Sequence, residues 1–147
     1  MPRANQDRYN PLSRTPRTLF HHAHMNGDAG FPPYLTNDAS AFVFLLLPDN
    51  WNGTDKVIVW LKGDAAAQIG VTVNCYAGTC NEDQQTHSDT NNAYTPTLAI
   101  STYYCIDITA DIAAFIAALT ARDMIEIEIY NSTVQAFKAV GVEIQET

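Results

Sequence analysis

The sequence predicts a mainly all-β protein: an antiparallel β-sandwich, with a jelly roll as the preferred topology, one short helix and an extended N-terminal arm. Three observations predict it. From about residue 39 onward, apolar residues recur with period two in segments bounded by Gly, Pro, Asn or Asp. Only one stretch, beyond residue 108, changes to a helical period. Helices do not alternate with strands, and no glycine-rich strand-to-helix loop occurs, which argues against a doubly wound nucleotide fold. A chain of 147 residues, 46% hydrophobic, is large enough for one domain with a real core. The organisation read from it is an arm and hinge over residues 1–38 and a sandwich over residues 39–147.

The elements follow in order. AFVFLLL, residues 41–47, is the first strand, closed by the turn-rich PDNWNGTD. KVIVWLK, residues 56–62, is the second, ended by GDAAAQ. IGVTVNCYA, residues 69–77, alternates Val71, Val73 and Cys75 against Thr72, Asn74 and Tyr76. Residues 78–96 are polar and lack periodicity, which reads as a long functional or mobile loop. TLAISTYYCIDI, residues 97–108, places Leu98, Ile100, Tyr104, Ile106 and Ile108 on one face. Ile112, Phe115, Ile116 and Leu119 then fall at helical spacing, with Thr109 or Asp111 available to cap. MIEIEIY, residues 124–130, and KAVGVEIQ, residues 138–145, return to period two. Two further strands are expected near Leu35 and Ala136.

Both faces are apolar in the first two strands, whereas a two-layer sandwich covers one face of each sheet. The second face must meet the short helix or the arm folded back within the chain, or another subunit; a subunit contact is the favoured reading, and Val43, Leu45, Leu47, Ile58 and Trp60 are then the expected oligomer interface, of a homotrimer.

Charge is unevenly divided. The chain carries −8 overall; residues 1–25 hold Arg3, Arg8, Arg14 and Arg17 against Asp7, net +3, leaving −11 on the rest. An acidic body argues against non-specific nucleic-acid binding. Pro2, Pro11 and Pro16 favour an extended leader. It reads as a tether that contacts a partner chain rather than its own body, through Arg3, Arg8, Arg14 and Arg17 and the anchors Tyr9, Leu12, Leu19 and Phe20. Residues 1–25 contain no apolar core of a secretory signal, and the longest apolar run is far too short to span a membrane.

Candidate chemistry is sparse. No nucleophile elbow, P-loop or zinc-protease motif occurs. His21, His22 and His24 have spacings a metal could share, but Asp28 alone stands near to complete a set, so no metal and no cofactor are expected. Cys75, Cys80 and Cys105 make an odd count, a poor disulfide framework, although a short Cys75–Cys80 bridge is sterically open. Glu126 and Glu128 share a strand face but alternate strictly with isoleucine, which reads as a solvent-facing surface rather than a catalytic pair. Glu82, Asp83 and Asp89 lack calcium-loop spacing. No catalytic residue is assigned, and the protein is read as a non-enzyme.

FVFLLLPDNWNGTDKVIVWLKG (residues 42–63), ITADIAAFIAALTARDMIEIEIYN (residues 108–131) and the final VGVEI (residues 140–144) together resemble a β-sandwich module of bacteriophage virion proteins. Such modules often carry Gly-Asp where this chain has Arg122 and Asp123. The plan of a small β body with an extended arm also resembles trimeric capsid decoration, or cement, proteins. The resemblance implies a structural protein on the virion surface, whose partners are further copies of itself and the major capsid protein or neighbouring subunits, with no nucleic acid or membrane. Two other readings are a carbohydrate- or receptor-binding fibre head, using the loop of residues 78–96, Tyr76, Tyr94 and an exposed Trp51, and a filament subunit that exchanges arms.

Overall fold

The computed structural model describes residues 15–25 and 30–147; Arg3, Arg8, Tyr9, Leu12 and Arg14 of the expected arm lie outside them. The elements are β1 (Thr18–His22), β2 (Tyr34–Leu35), β3 (Ser40–Leu46), β4 (Thr54–Gly63), β5 (Ala67–Gln68), β6 (Val71–Gly78), β7 (His87–Tyr94), β8 (Thr97–Leu98), β9 (Tyr103–Asp107), α1 (Ala113–Ala118), β10 (Met124–Asn131) and β11 (Phe137–Glu146). One sheet runs β1-β11-β4-β9, with β2 also on β11; the other runs β3-β10-β6-β7. All these pairings are antiparallel. With the two-residue strands set aside, the long strands in chain order run 1-8-3-6 in one sheet and 2-7-4-5 in the other. That interleaving is the jelly-roll order, the expected fold.

The core lies between the sheets. Ile125, Ile127 and Ile129 of β10 meet Val71, Val73 and Cys75 of β6 and Ala41, Val43 and Leu45 of β3 on one inner face. Val57, Val59 and Leu61 of β4 and Val142 and Ile144 of β11 form the other. Val43, Leu45 and Leu47 therefore do not form an oligomer interface: they are 0%, 2% and 0% exposed inside the sandwich. Phe42, Phe44 and Leu46 take the outer face instead. The register explains this. Val43 pairs with Ile127, while Phe44 and Phe42 pair with Glu126 and Glu128, and cross-strand partners share a face. Ile58 and Trp60 do lie on an outer face, half-buried.

The arm boundary is also corrected. Thr18–His22 is not free to reach a partner chain; it pairs with Gly141–Gln145 of its own β11. Leu19 packs on the core, and Ala23 is buried within it. Gly141 permits the approach: a Cβ there would lie 2.2 Å from the His21 carbonyl oxygen and 2.8 Å from the Phe20 ring.

Two further segments depart from the sequence reading. The stretch over residues 78–96 contains β7, an edge strand held by polar side chains rather than by an apolar face. The Asn91 amide donates to Asn74 Oδ1 (2.7 Å), and Asn92 Nδ2 donates to Asp89 Oδ1 (2.9 Å). Residues 97–108 do not form one strand. The chain folds over Gly63, whose amide donates to the Thr102 carbonyl while its own carbonyl accepts from Ser101 N–H. Ile100 and Tyr104 are thereby turned outward, 64% and 40% exposed, leaving Leu98, Ile106 and Ile108 in the core.

In α1 and its flanks, Ile112, Phe115 and Leu119 are buried at the expected spacing. Neither expected cap is used: Ile112 is the N-cap, with no side-chain bond. Thr109 Oγ1 instead accepts from Val57 N–H, and Asp111 accepts from the Tyr94 hydroxyl. Arg122 has φ 71°, the left-handed conformation that favours the glycine of the resembling modules.

Asn131, fully buried, ties the end of β10 to β2 and to the turn that follows β10. Its Nδ2 donates to the carbonyls of Leu35 (2.9 Å) and Gln135 (3.0 Å), and its Oδ1 accepts from Thr133 N–H (2.9 Å). Asn131→Ala should cost about 2–3 kcal/mol, because buried backbone groups lose their partners. Urea unfolding should show a lower midpoint at unchanged slope; an unmoved midpoint would show that water replaces the amide.

Candidate binding surfaces

The outer faces of the two sheets differ in character. On the first sheet, β11 forms the floor of a trough between β1 and β4. Register places Gly141 between His22 and Trp60, and the Phe20 ring and His21 carbonyl lie where a side chain of Gly141 would stand. Phe20, His22 and Phe31 form one wall: the Phe20 and His22 rings meet edge-on at 5.3 Å, and those of His22 and Phe31 at 4.5 Å. Trp60 and Tyr103 form the other, 6.4 Å apart, with the Lys62 ammonium 5.7 Å from the Tyr103 ring. Glu143 sits between them, accepting from Trp60 Nε1 (3.0 Å) and Gln145 Nε2 (2.8 Å). The hollow measures about 460 Å³, within the range of small-molecule sites.

On the second sheet, Phe44, Leu46 and Met124 stand 54%, 41% and 46% exposed. Phe44, Tyr76, Met124, Glu82 and Glu126 line a hollow of about 270 Å³; Leu46, Cys80, Arg122 and Met124 line another of about 490 Å³ beside it. Glu126 and Glu128 are half-buried here rather than freely solvated. Glu128 is held by Ser40 Oγ (2.6 Å) and Asn74 Nδ2 (3.0 Å). Burial, and then the charge of Glu128, push the Glu126 carboxyl above its ordinary value.

At one end of the sandwich, Arg17 binds its own body. Its guanidinium lies 2.9 Å from Glu146 and 5.5 Å from the centre of the Trp51 ring, and it donates to the Asn50 carbonyl. Trp51 is 7% exposed and donates to Thr54 Oγ1, so it offers no stacking platform. Of the expected arm contacts, Arg17 and Leu19 are engaged within the chain, while Phe20 stays 41% exposed.

The remaining candidates are dispersed. His21 and His22 alternate across β1 and so point to opposite sides; burial, then His22, lowers the His21 pKa. No group of three or more His, Cys, Asp or Glu suited to a metal occurs among the described residues. Glu82, Asp83 and Asp89 each accept a local bond, from Thr79 N–H, Gln85 N–H and Asn92 Nδ2. Cys75, Cys80 and Cys105 are all free thiols; burial pushes Cys75 up to about 12, while Cys80 is exposed. The trough escaped sequence reasoning because Phe20, Phe31, Trp60 and Tyr103 are far apart in the chain. The one local signal was the apolar outer face of β4.

No protein-family model and no curated protein matches the sequence. The fold is similar to that of the CBM36-1 domain of a multidomain xylanase from the hindgut metagenome of Trinervitermes trinervoides, with TM-score 0.52 and 10% identity over 87% of this chain and 96% of that one. It is also similar to a structure of infectious bursal disease virus, Gx strain, with TM-score 0.50 and 14% identity over 90% of this chain and 32% of that one. The chain thus spans about a third of the viral chain. At such identities the likeness is one of fold: a β-sandwich shared by a carbohydrate-binding module and a virus structure. Among the described residues, no helix is long and apolar enough to cross a membrane.

Proposed function

We propose that this protein is a non-enzymatic virion-surface component, a decoration protein whose sandwich associates with copies of itself and with the capsid lattice through the outer face of the β1-β11-β4-β9 sheet. The aromatic trough carries this reading. Phe20, Phe31 and Tyr103 are 41%, 57% and 60% exposed around Trp60, a clustering that marks interaction surfaces. Ile58 and Trp60 are the part of the expected interface that faces outward. Glu126 and Glu128 lie side by side on one strand face rather than facing each other across a cleft, which supports binding over catalysis. The resemblance to phage virion modules and the fold likeness to a virus structure support the setting.

Sedimentation velocity of the full chain at micromolar concentration should give a trimer. Trp60→Ser together with Tyr103→Ser should return a monomer with an unchanged far-UV spectrum. A wild-type monomer would overturn the self-association.

The same trough favours a second reading. Flat aromatic walls beside a carboxylate suit a sugar ring, and one structural neighbour is described as a carbohydrate-binding module. A glycan array separates the two: saccharide binding by the wild type that is lost in the Trp60→Ser, Tyr103→Ser variant would establish the second reading in place of the first.

A further inference from the structure

The acidic-apolar face of the β3-β10-β6-β7 sheet is a different surface from the trough and needs a different occupant. Glu126 is half-buried between Phe44 and Tyr76 and has neither a hydrogen-bond nor an ion-pair partner among the described residues. Glu82 and Glu128 add negative charge beside it. The nearby cation, Arg122, is paired with Asp49 at 3.2 Å. A second copy presenting the same face would bring like charges together, so the fitting occupant is a basic segment with apolar side chains.

The chain itself holds such a segment. Residues 1–14 carry Arg3, Arg8 and Arg14 against Asp7, with Tyr9 and Leu12 among them. Their point of departure lies at the right end of the sandwich. Arg17 donates to the Asn50 carbonyl; the adjacent Asp49 pairs with Arg122; and Arg122 lines the hollow with Leu46, Met124 and Cys80. Seven residues, from Arg17 back to Asn10, span up to about 25 Å when extended. A tether this short gives a high effective concentration on its own body.

We propose that residues 1–14 dock on this face of their own chain, seating Tyr9 and Leu12 on Phe44, Leu46 and Met124 and bringing arginine to Glu126. The trough remains the surface open to partners.

Cys80, which lines the hollow, supplies a reporter, and Cys105, exposed on the other sheet, supplies the control. The full-length Asn10→Cys variant, with Tyr9 and Leu12 intact, is incubated with oxidised glutathione. The added disulfide is reduced as the two thiols couple. The Asn10→Cys thiol should couple to Cys80 within one chain at least about tenfold faster than to Cys105, reflecting the difference in effective concentration. Adding Glu126→Gln, or raising salt to about 1 M, should slow that coupling several-fold through loss of charge pairing and screening. Peptide mapping identifies the linked cysteines, and non-reducing mass measurement separates coupling within a chain from coupling between chains. Equal coupling to Cys105, coupling only between chains, insensitivity to both Glu126→Gln and salt, or no coupling would each overturn the proposal. Running the coupling in the Trp60→Ser, Tyr103→Ser background keeps Cys105, the cross-strand neighbour of Trp60, clear of self-association through the trough.

Discussion

A chain beginning at Met25 should fail to fold, whereas one beginning at Thr15 should fold with a cooperative thermal transition. The difference is β1. Its five residues pair with β11, and the segment then crosses to the opposite sheet. Ala23 N–H donates to the Val140 carbonyl, and His24 exchanges two backbone bonds with Phe42 of β3, at 2.8 and 2.7 Å. Removing it strips Leu19 and Ala23 from the core and leaves β11 as an open edge with unpaired amides, a template for aggregation. Circular dichroism and solubility of the two truncations decide the point. A cooperatively folded chain from residue 25 would show that β1 is an ornament of the sheet. A point variant tests the same contact. Gly141→Val places side-chain atoms where the His21 carbonyl already lies within 2.2 Å of a Cβ. It should cost more than about 3 kcal/mol and release the Thr18–His22 amides to fast hydrogen exchange.

The second large effect is expected at Glu146. Its side chain is 1% exposed. Burial pushes its pKa up, but the hydrogen bonds of the Arg17 side chain, the Asn52 amide and the Arg17 amide, with the charge of Arg17, outweigh this and hold it at about 2. Glu146→Gln keeps the shape and removes the charge. It should cost about 2–3 kcal/mol at neutral pH through weakened charge-assisted bonds. The pH dependence has a fixed sign. A carboxyl whose folded pKa lies below its ordinary 4.5 contributes fully above that value, and the contribution is lost as pH falls through the folded value. The wild-type and Glu146→Gln urea midpoints should therefore differ most above about pH 4.5 and converge towards about pH 2. Parallel curves would show that the ion pair contributes nothing to folding. Glu126, whose pKa is raised, works in the opposite direction and is common to both proteins.

The sequence by itself determined the fold class and most of the frame. Isoleucine alternating with glutamate in β10, the apolar runs of β3 and β4, and the single change to helical spacing at Ile112, Phe115 and Leu119 identify a sandwich with one helix, because burial of one face imposes a period that the order of residues displays. That logic fails where burial does not impose a period. β7 is an edge strand held by asparagine and aspartate side chains, so nothing apolar announces it. β3 is apolar on both faces, so alternation cannot say which points inward; its pairing with β10 decides. β1 lies in a basic, proline-flanked leader and becomes a strand only because β11, from far along the chain, offers a free edge and a glycine at the contact. The trough is tertiary for the same reason. Its rings come from β1, the segment at Phe31, β4 and β9, which adjoin only after the sheet has formed. The sequence fixes which residues can be buried; which of their faces remain exposed, and what those faces assemble, depends on long-range strand pairing that no local pattern encodes.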